Sequence, residues 1–181
     1  ILAAVLLKMG AYGMIRILYP TLPETGRAFA LTLGILGIIN ILYGAFAAMA
    51  QTDVKRTVAY SSVSHMGYTL LGIAAGTPAA VSGAVFVMIS HGLISAMLFM
   101  LVGVFYERTH TRELPEMGGM YVVMPVAGTF FAVAAFANLG LPFMSGFIGE
   151  FFTLLGTIKV YPVLVYLAAV GLVVVAAFNL L

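Results

Sequence analysis

The 181-residue chain contains no cysteine. That excludes structural disulfides and Cys-ligated iron–sulfur clusters within it. Charge is also scarce. Only 8% of the residues are Asp, Glu, Lys or Arg, where a soluble domain carries about 25%. The formal net charge of +2 is small, and the charged residues lie toward segment ends rather than in a patch, so no nucleic-acid partner is expected. What remains is apolar: 63% of the residues are hydrophobic and the mean hydropathy is +1.15. That composition belongs in a lipid bilayer. The chain starts inside one apolar run, at Ile1, and stops inside another, at Leu181, so a fragment of a larger polytopic membrane protein is expected.

A membrane helix needs about 20 mainly apolar residues to cross roughly 30 Å of hydrocarbon. Six segments qualify, giving an all-α expectation with about six transmembrane helices. Segment A covers about 1–18 and is ended by Pro20 and Pro23; B covers about 28–50; C covers about 58–75, up to Gly76-Thr77-Pro78. Segment D covers about 80–106. Segment E starts near 122, breaks around 139–146 and resumes to about 158; F runs from about 162 to the end. Short connections favour antiparallel neighbours in a bundle. They hold nearly all the charge: Glu24 and Arg27 between A and B; Asp53, Lys55 and Arg56 between B and C; Glu107, Arg108, Arg112, Glu113 and Glu116 between D and E; Lys159 between E and F. Lys55, Arg56, Arg108 and Arg112 on one side outnumber Arg16, Arg27 and Lys159 on the other, which points the B–C and D–E connections to the cytoplasm.

Four ionisable residues stand outside the connections: Lys8, His65, His91 and Glu150. At 1.5 Å per residue, Lys8 lies roughly 15 Å before the end of segment A, His65 roughly 15 Å beyond Lys55, His91 roughly 16 Å into segment D and Glu150 roughly 13 Å before Lys159, all close to the bilayer midplane. Each has a plain reading. A histidine can be a hydrogen-bonded packing residue, a lysine can snorkel, and a glutamate can cap a helix N-terminus. Four such residues at one depth on four segments instead fit a proton or ion pathway, the usual setting of titratable groups inside a membrane. Neighbouring polar residues agree. Ser61, His65 and Tyr68 share a face of segment C, with Ser64 beside them; His91 and Ser95 share a face of D; Lys8, Tyr12 and Arg16 share a face of A. Gly140, Pro142 and Gly146 interrupt segment E just before Glu150. Freed backbone groups are tolerated at that depth only against protein or a water-filled cavity, and transporters place discontinuous helices at their binding sites.

The stretches LLKMGAYGMIR (6–16), YGAFAAMAQTDVKRTVAYSSVSHMGY (43–68), ISHGLISAMLF (89–99), YERTHTRELPEMGG (106–119) and LGLPFMSGFIGEFF (139–152) resemble the antiporter-like membrane subunits of proton-pumping NADH-quinone oxidoreductase, respiratory complex I. The likeness covers essentially the whole chain, and YERTHTRELPEMGG favours the chain M branch (NADH dehydrogenase subunit 4 in mitochondria) over chains L and N. The resemblance implies a partial antiporter-like proton-translocating domain over 1–181, corresponding to helices eight to thirteen of a fourteen-helix fold, with segment E as the second broken helix. It also implies that Lys8 is the central relay, that His65 and His91 carry protons onward, and that Glu150 is the terminal exchange site. No cofactor or metal site is implied in this chain; FMN, iron–sulfur clusters and quinone would belong to other subunits. The implied partners are the lipid bilayer and neighbouring membrane subunits such as chains L and N, in a bacterial plasma membrane or a mitochondrial inner membrane. Subunits of multisubunit sodium/proton antiporters and of membrane-bound hydrogenases share most of these motifs and form the alternative. A passive scaffold would explain the hydrophobicity but not four buried ionisable residues.

Overall fold

The computed structural model describes residues 2–180. Its regular structure is helical, and the one β-type pairing among the described residues is a single bridge between Asp53 and Glu113. Segment A is not a uniform helix. A π-helical turn, Leu2–Leu6, leads into α1 (Leu7–Gly13), and a second π-helical stretch, Met14–Leu18, leads into a short turn, α2 (Tyr19–Thr21). Lys8 therefore sits in regular helix between two widened ones. Pro20 does not end the segment as expected. It falls just after the π-helical stretch, whose wide turn relieves the clash a proline ring makes in a regular α-helix. The break comes at Leu22 (φ −131°, ψ 64°), kept out of the α-helical region because Pro23 follows, and Pro23 then opens α3 (Pro23–Ala28).

Segments B, C and D become α4 (Ala30–Met49), α5 (Val54–Ala75) and α6 (Pro78–Thr109). Three boundaries move outward from those expected. Asp53 caps α5 by accepting from the backbone N–H of Lys55 (2.7 Å) and Arg56 (3.2 Å), so these cations lie in the first helical turn rather than in a connection. Thr77 caps α6 through Ala80 N–H (3.2 Å), with Pro78 at the position where a missing N–H costs nothing. At its other end α6 runs on through Glu107 and Arg108 until His110 turns left-handed (φ 56°). A 3₁₀ turn (Leu114–Glu116) and α7 (Met120–Val123) follow. Segment E has an additional break at Met124 (φ −130°), again the residue before a proline, so its first half is α8 (Pro125–Leu139). The second half is α9 (Ser145–Thr157), and α10 (Pro162–Leu180) closes the described chain.

Two of these helices, α4 and α6, are by themselves long and apolar enough to cross a membrane. The other segments of the six expected fall short individually for visible reasons. A is interrupted by π-helical turns, E is divided, α5 carries a run of buried serines with His65, and the apolar stretch of α10 is short.

The helix α5 is central, packed between α4 and α6 and also against α9. Its approach to α4 is backbone to backbone: a Cβ on Gly67 would stand 2.6 Å from the Gly37 carbonyl, and one on Gly44 would stand 2.6 Å from Ser64 N. The α6–α9 contact is equally close. A Cβ on Gly149 would lie 2.8 Å from Val87 N, and one on Gly83 would run into the backbone of Thr153. Such glycine-lined contacts suit association in lipid, where packing and interhelical hydrogen bonds replace hydrophobic drive. They also press the middle of α9 onto α5 and α6, which carry the two histidines.

Candidate functional site

The interruption between α8 and α9 has a definite construction. Gly140 is left-handed (φ 73°), its N–H donates to Ala137 O (3.3 Å), and Leu141 N–H donates to Phe136 O (3.4 Å). This crossed pair of bonds is the Schellman ending, which glycine favours and a following proline reinforces. Pro142 and Phe143 then form a turn closed by Met144 N–H to Leu141 O (3.0 Å), with fully exposed Phe143 at φ 75°. Helix resumes at Ser145, and a Cβ on Gly146 would run into the Ala137 carbonyl. The two half-helices thus overlap side by side at the break.

Glu150 lies in the second turn of α9. Its carboxylate is not a helix cap. Oε1 meets Nδ1 of His65 at 2.7 Å, and both side chains are 5% exposed. The carboxylate oxygen can only accept, unless protonated, so the pair shares one proton whether written as imidazolium–carboxylate or imidazole–carboxylic acid. The His91 ring lies beside that of His65, with centroids 5.0 Å apart and planes tilted by 40°. Among the described residues, neither His91 nitrogen has a hydrogen-bond partner, nor does Nε2 of His65. These groups, with Ser90, Asn138, Gly146 and Glu150, line a cavity offering about 10 Å³ to water centres, about the room one water requires.

The structure therefore brings three of the four singled-out residues together. Lys8 is buried (8% exposed) but lines a different space, a groove of about 850 Å³ between segment A and α6, together with Tyr12, Met88 and Gly92. Part of the hydroxyl reading changes. Ser61 donates to Val58 O (2.9 Å) and Ser95 to His91 O (2.6 Å), so both protons are committed to their own helix backbone. Ser64 donates to Ile41 O on α4 (2.9 Å) and Tyr68 to Ala168 O on α10 (3.0 Å). These hydroxyls join helices rather than hand protons to a histidine.

Residues 1–176 match the family described as NADH:quinone oxidoreductase/Mrp antiporter, TM. The chain belongs to this family. It is 48% identical over 180 residues to an NADH-quinone oxidoreductase subunit M of Rickettsia bellii, covering 99% of this chain and 36% of that protein. It is 51% identical over 187 residues to an NAD(P)H-quinone oxidoreductase chain 4 of Microcystis aeruginosa, covering 99% and 34%. Among solved structures it resembles a chain of respiratory complex I from Thermus thermophilus with bound NADH (TM-score 0.92, 36% identity), covering 96% of this chain and 37% of that one. A chain of the archaeal membrane-bound sulfane sulfur reductase is also similar (TM-score 0.90, 26% identity), covering 99% and 37%. The chain thus spans little more than a third of the length of the curated relatives it matches, and the family places it in a membrane.

Two polar residues of the cavity escaped the sequence reading. Ser90 adjoins His91 in sequence and bonds Ser145 across the break (Oγ···Oγ 2.9 Å), tying the start of α9 to α6. Asn138 is buried one residue before the end of α8. An amide beside a helix break was its available signal.

Proposed function

We propose that this chain forms part of a proton-translocating membrane subunit of NADH:quinone oxidoreductase, in which Lys8, His91, His65 and Glu150 carry protons near the bilayer midplane. The observation that carries this reading is the buried His65–Glu150 contact beside His91 at a helix break. Imidazole accepts a proton at one nitrogen while releasing one from the other. His65 can therefore take a proton through Nε2 and pass one from Nδ1 to Glu150 Oε1. His91 supplies the preceding station across the same cavity. Lys8, in the adjoining groove, is the central relay that feeds them. Glu150, against the break, is the exchange site toward the far aqueous side. Burial of titratable groups at such cost is the usual mark of a conduction path.

In this reading the six helical segments all cross the bilayer as helices eight to thirteen of the longer fold, with the α4–α5 and α6–α7 connections cytoplasmic. The redox groups (FMN, iron–sulfur clusters and quinone) belong to other subunits, and the translocase activity belongs to the complex. Its neighbours are further antiporter-like subunits such as chains L and N, and its membrane is a bacterial plasma membrane. Identities near 50% to oxidoreductase subunits support this reading; the sodium/proton antiporter and hydrogenase readings are the alternatives.

The test is Glu150→Gln in the full-length subunit within its assembled complex. Proton uptake and coupled quinone reduction should fall severely, while Glu150→Asp should keep part of both. Uptake at the parental rate in the Gln variant would refute the assignment. Dependence of transport on sodium rather than on quinone reduction would move the chain to the antiporter reading.

A further inference from the structure

The second carboxylate oxygen of Glu150 has a specific neighbour. While Oε1 meets His65, Oε2 faces the left-handed turn that ends α8: a Cβ built on Gly140 would stand 3.1 Å from Oε2 and 3.9 Å from Cδ. Gly140 reaches that position because the Schellman ending turns the chain back over the first turns of α9, where Gly146 fits against Ala137. The chain from 140 to 150 thus folds so that Glu150 lies against the very turn that interrupts its helix.

We propose that Gly140 is a positioning residue for Glu150, kept without a side chain so that one carboxylate oxygen rests on His65 while the other rests on the helix break. This deepens the function proposed above and rests on it. With both seats clear, the carboxyl group can turn about its Cγ–Cδ bond. A proton leaves Nδ1 of His65 as the bond to one Glu150 oxygen forms. Rotation carries that O–H to the break, where it transfers to water and leaves the carboxylate ready to accept again. A side chain at Gly140 interferes directly. Ordinary C···O contacts begin near 3.4 Å, so a Cβ at 3.1 Å requires the carboxylate to withdraw by roughly 0.3 Å. That is about the difference between the short 2.7 Å contact and an ordinary hydrogen bond.

Left-handed φ disfavours any Cβ at this position, so strain must be separated from contact with Glu150. Asparagine tolerates the left-handed region better than alanine, so Gly140→Asn and Gly140→Ala differ in strain but share the Cβ. Each is combined with Glu150→Asp, which draws the carboxylate back by one methylene. Proton uptake is measured per assembled complex containing the full-length subunit. In the parental background both substitutions should lower uptake about 3- to 10-fold, well within the losses that misplacements of up to an ångström produce. In the E150D background the same substitutions should cost less than about twofold, because coupling between touching residues breaks additivity. If single variants fail to assemble but the E150D combinations do, that rescue equally supports the contact. Equal fold losses in both backgrounds, or failure of every Gly140 variant to assemble, would make Gly140 a folding residue only and overturn the inference. Loss of pumping in Glu150→Gln together with equal losses in both backgrounds would refute this inference alone. Normal pumping in Glu150→Gln would refute the function beneath it.

Discussion

Replacing the two histidines one at a time should give unequal losses, because their surroundings differ. His65→Ala removes the 2.7 Å partner of Glu150 Oε1 and leaves a carboxyl group in a site where the side chain is 5% exposed. Breaking a buried pair by removing one partner costs about 3–5 kcal/mol, because the remaining group has lost compensation. A positioned proton-transfer group is worth about 10²–10⁴-fold, so a step that depends on that pair should slow by at least about 100-fold. His91→Ala orphans no protein group, since neither of its ring nitrogens has a partner among the described residues. It removes only what the ring offers across the cavity, about one hydrogen bond's worth or 1–1.5 kcal/mol, which corresponds to roughly tenfold. The double variant should cost little more than His65→Ala, since His91 acts through His65. His65→Asn is the control, because its amide can still donate near the Nδ1 position but cannot exchange a proton at neutral pH. It should assemble normally and still pump poorly. The measurement is the initial rate of proton uptake by reconstituted complex, normalised to assembled subunit. A loss from His91→Ala equal to or larger than that from His65→Ala, or parental pumping by His65→Asn, would refute the reasoning.

Lys8→Ala should impair uptake, and Lys8→Arg should fail nearly as completely if the site must release its proton, because a guanidinium stays protonated. An active Lys8→Arg variant would leave Lys8 as a fixed positive charge. Away from the pathway, Asp53→Ala removes two cap hydrogen bonds from α5 and a partly exposed contact with Arg112 (3.7 Å) that helps clasp the two connections. The loss should be about 1–2 kcal/mol, mostly from the cap, read as a lower thermal midpoint of the assembled complex. Asp53→Asn, which still caps, should lose less than half of that; an equal loss would shift the weight to the ion pair.

Much of the helical pattern was legible along the chain. Apolar runs, prolines and glycines are local features, and they located α4, the C-terminal ends of α5 and α8, the onset of α10 and the interruption before Glu150 to within a few residues. The errors were local too. Nothing local marks the π-helical turn that lets helix continue past Pro20, and the apolar run continues across the break at Met124. Depth singled out Lys8, His65, His91 and Glu150, and all four are buried. Hydropathy measures the cost of a charge in lipid, which does not depend on what the charge touches. The contacts do. His65 and Glu150 are 85 positions apart, and no spacing rule predicts that their side chains meet. The meeting follows from how closely α9 approaches α5 and α6, which glycine positions on separate helices decide together. For the same reason, only the tertiary structure set Lys8 beside the groove rather than the histidine cavity, assigned Ser61 and Ser95 to helix backbone, and turned Gly140 back onto Glu150. The sequence by itself determined which residues were too costly to leave in lipid without a partner; the packing of helices distant along the chain decided which partners they have.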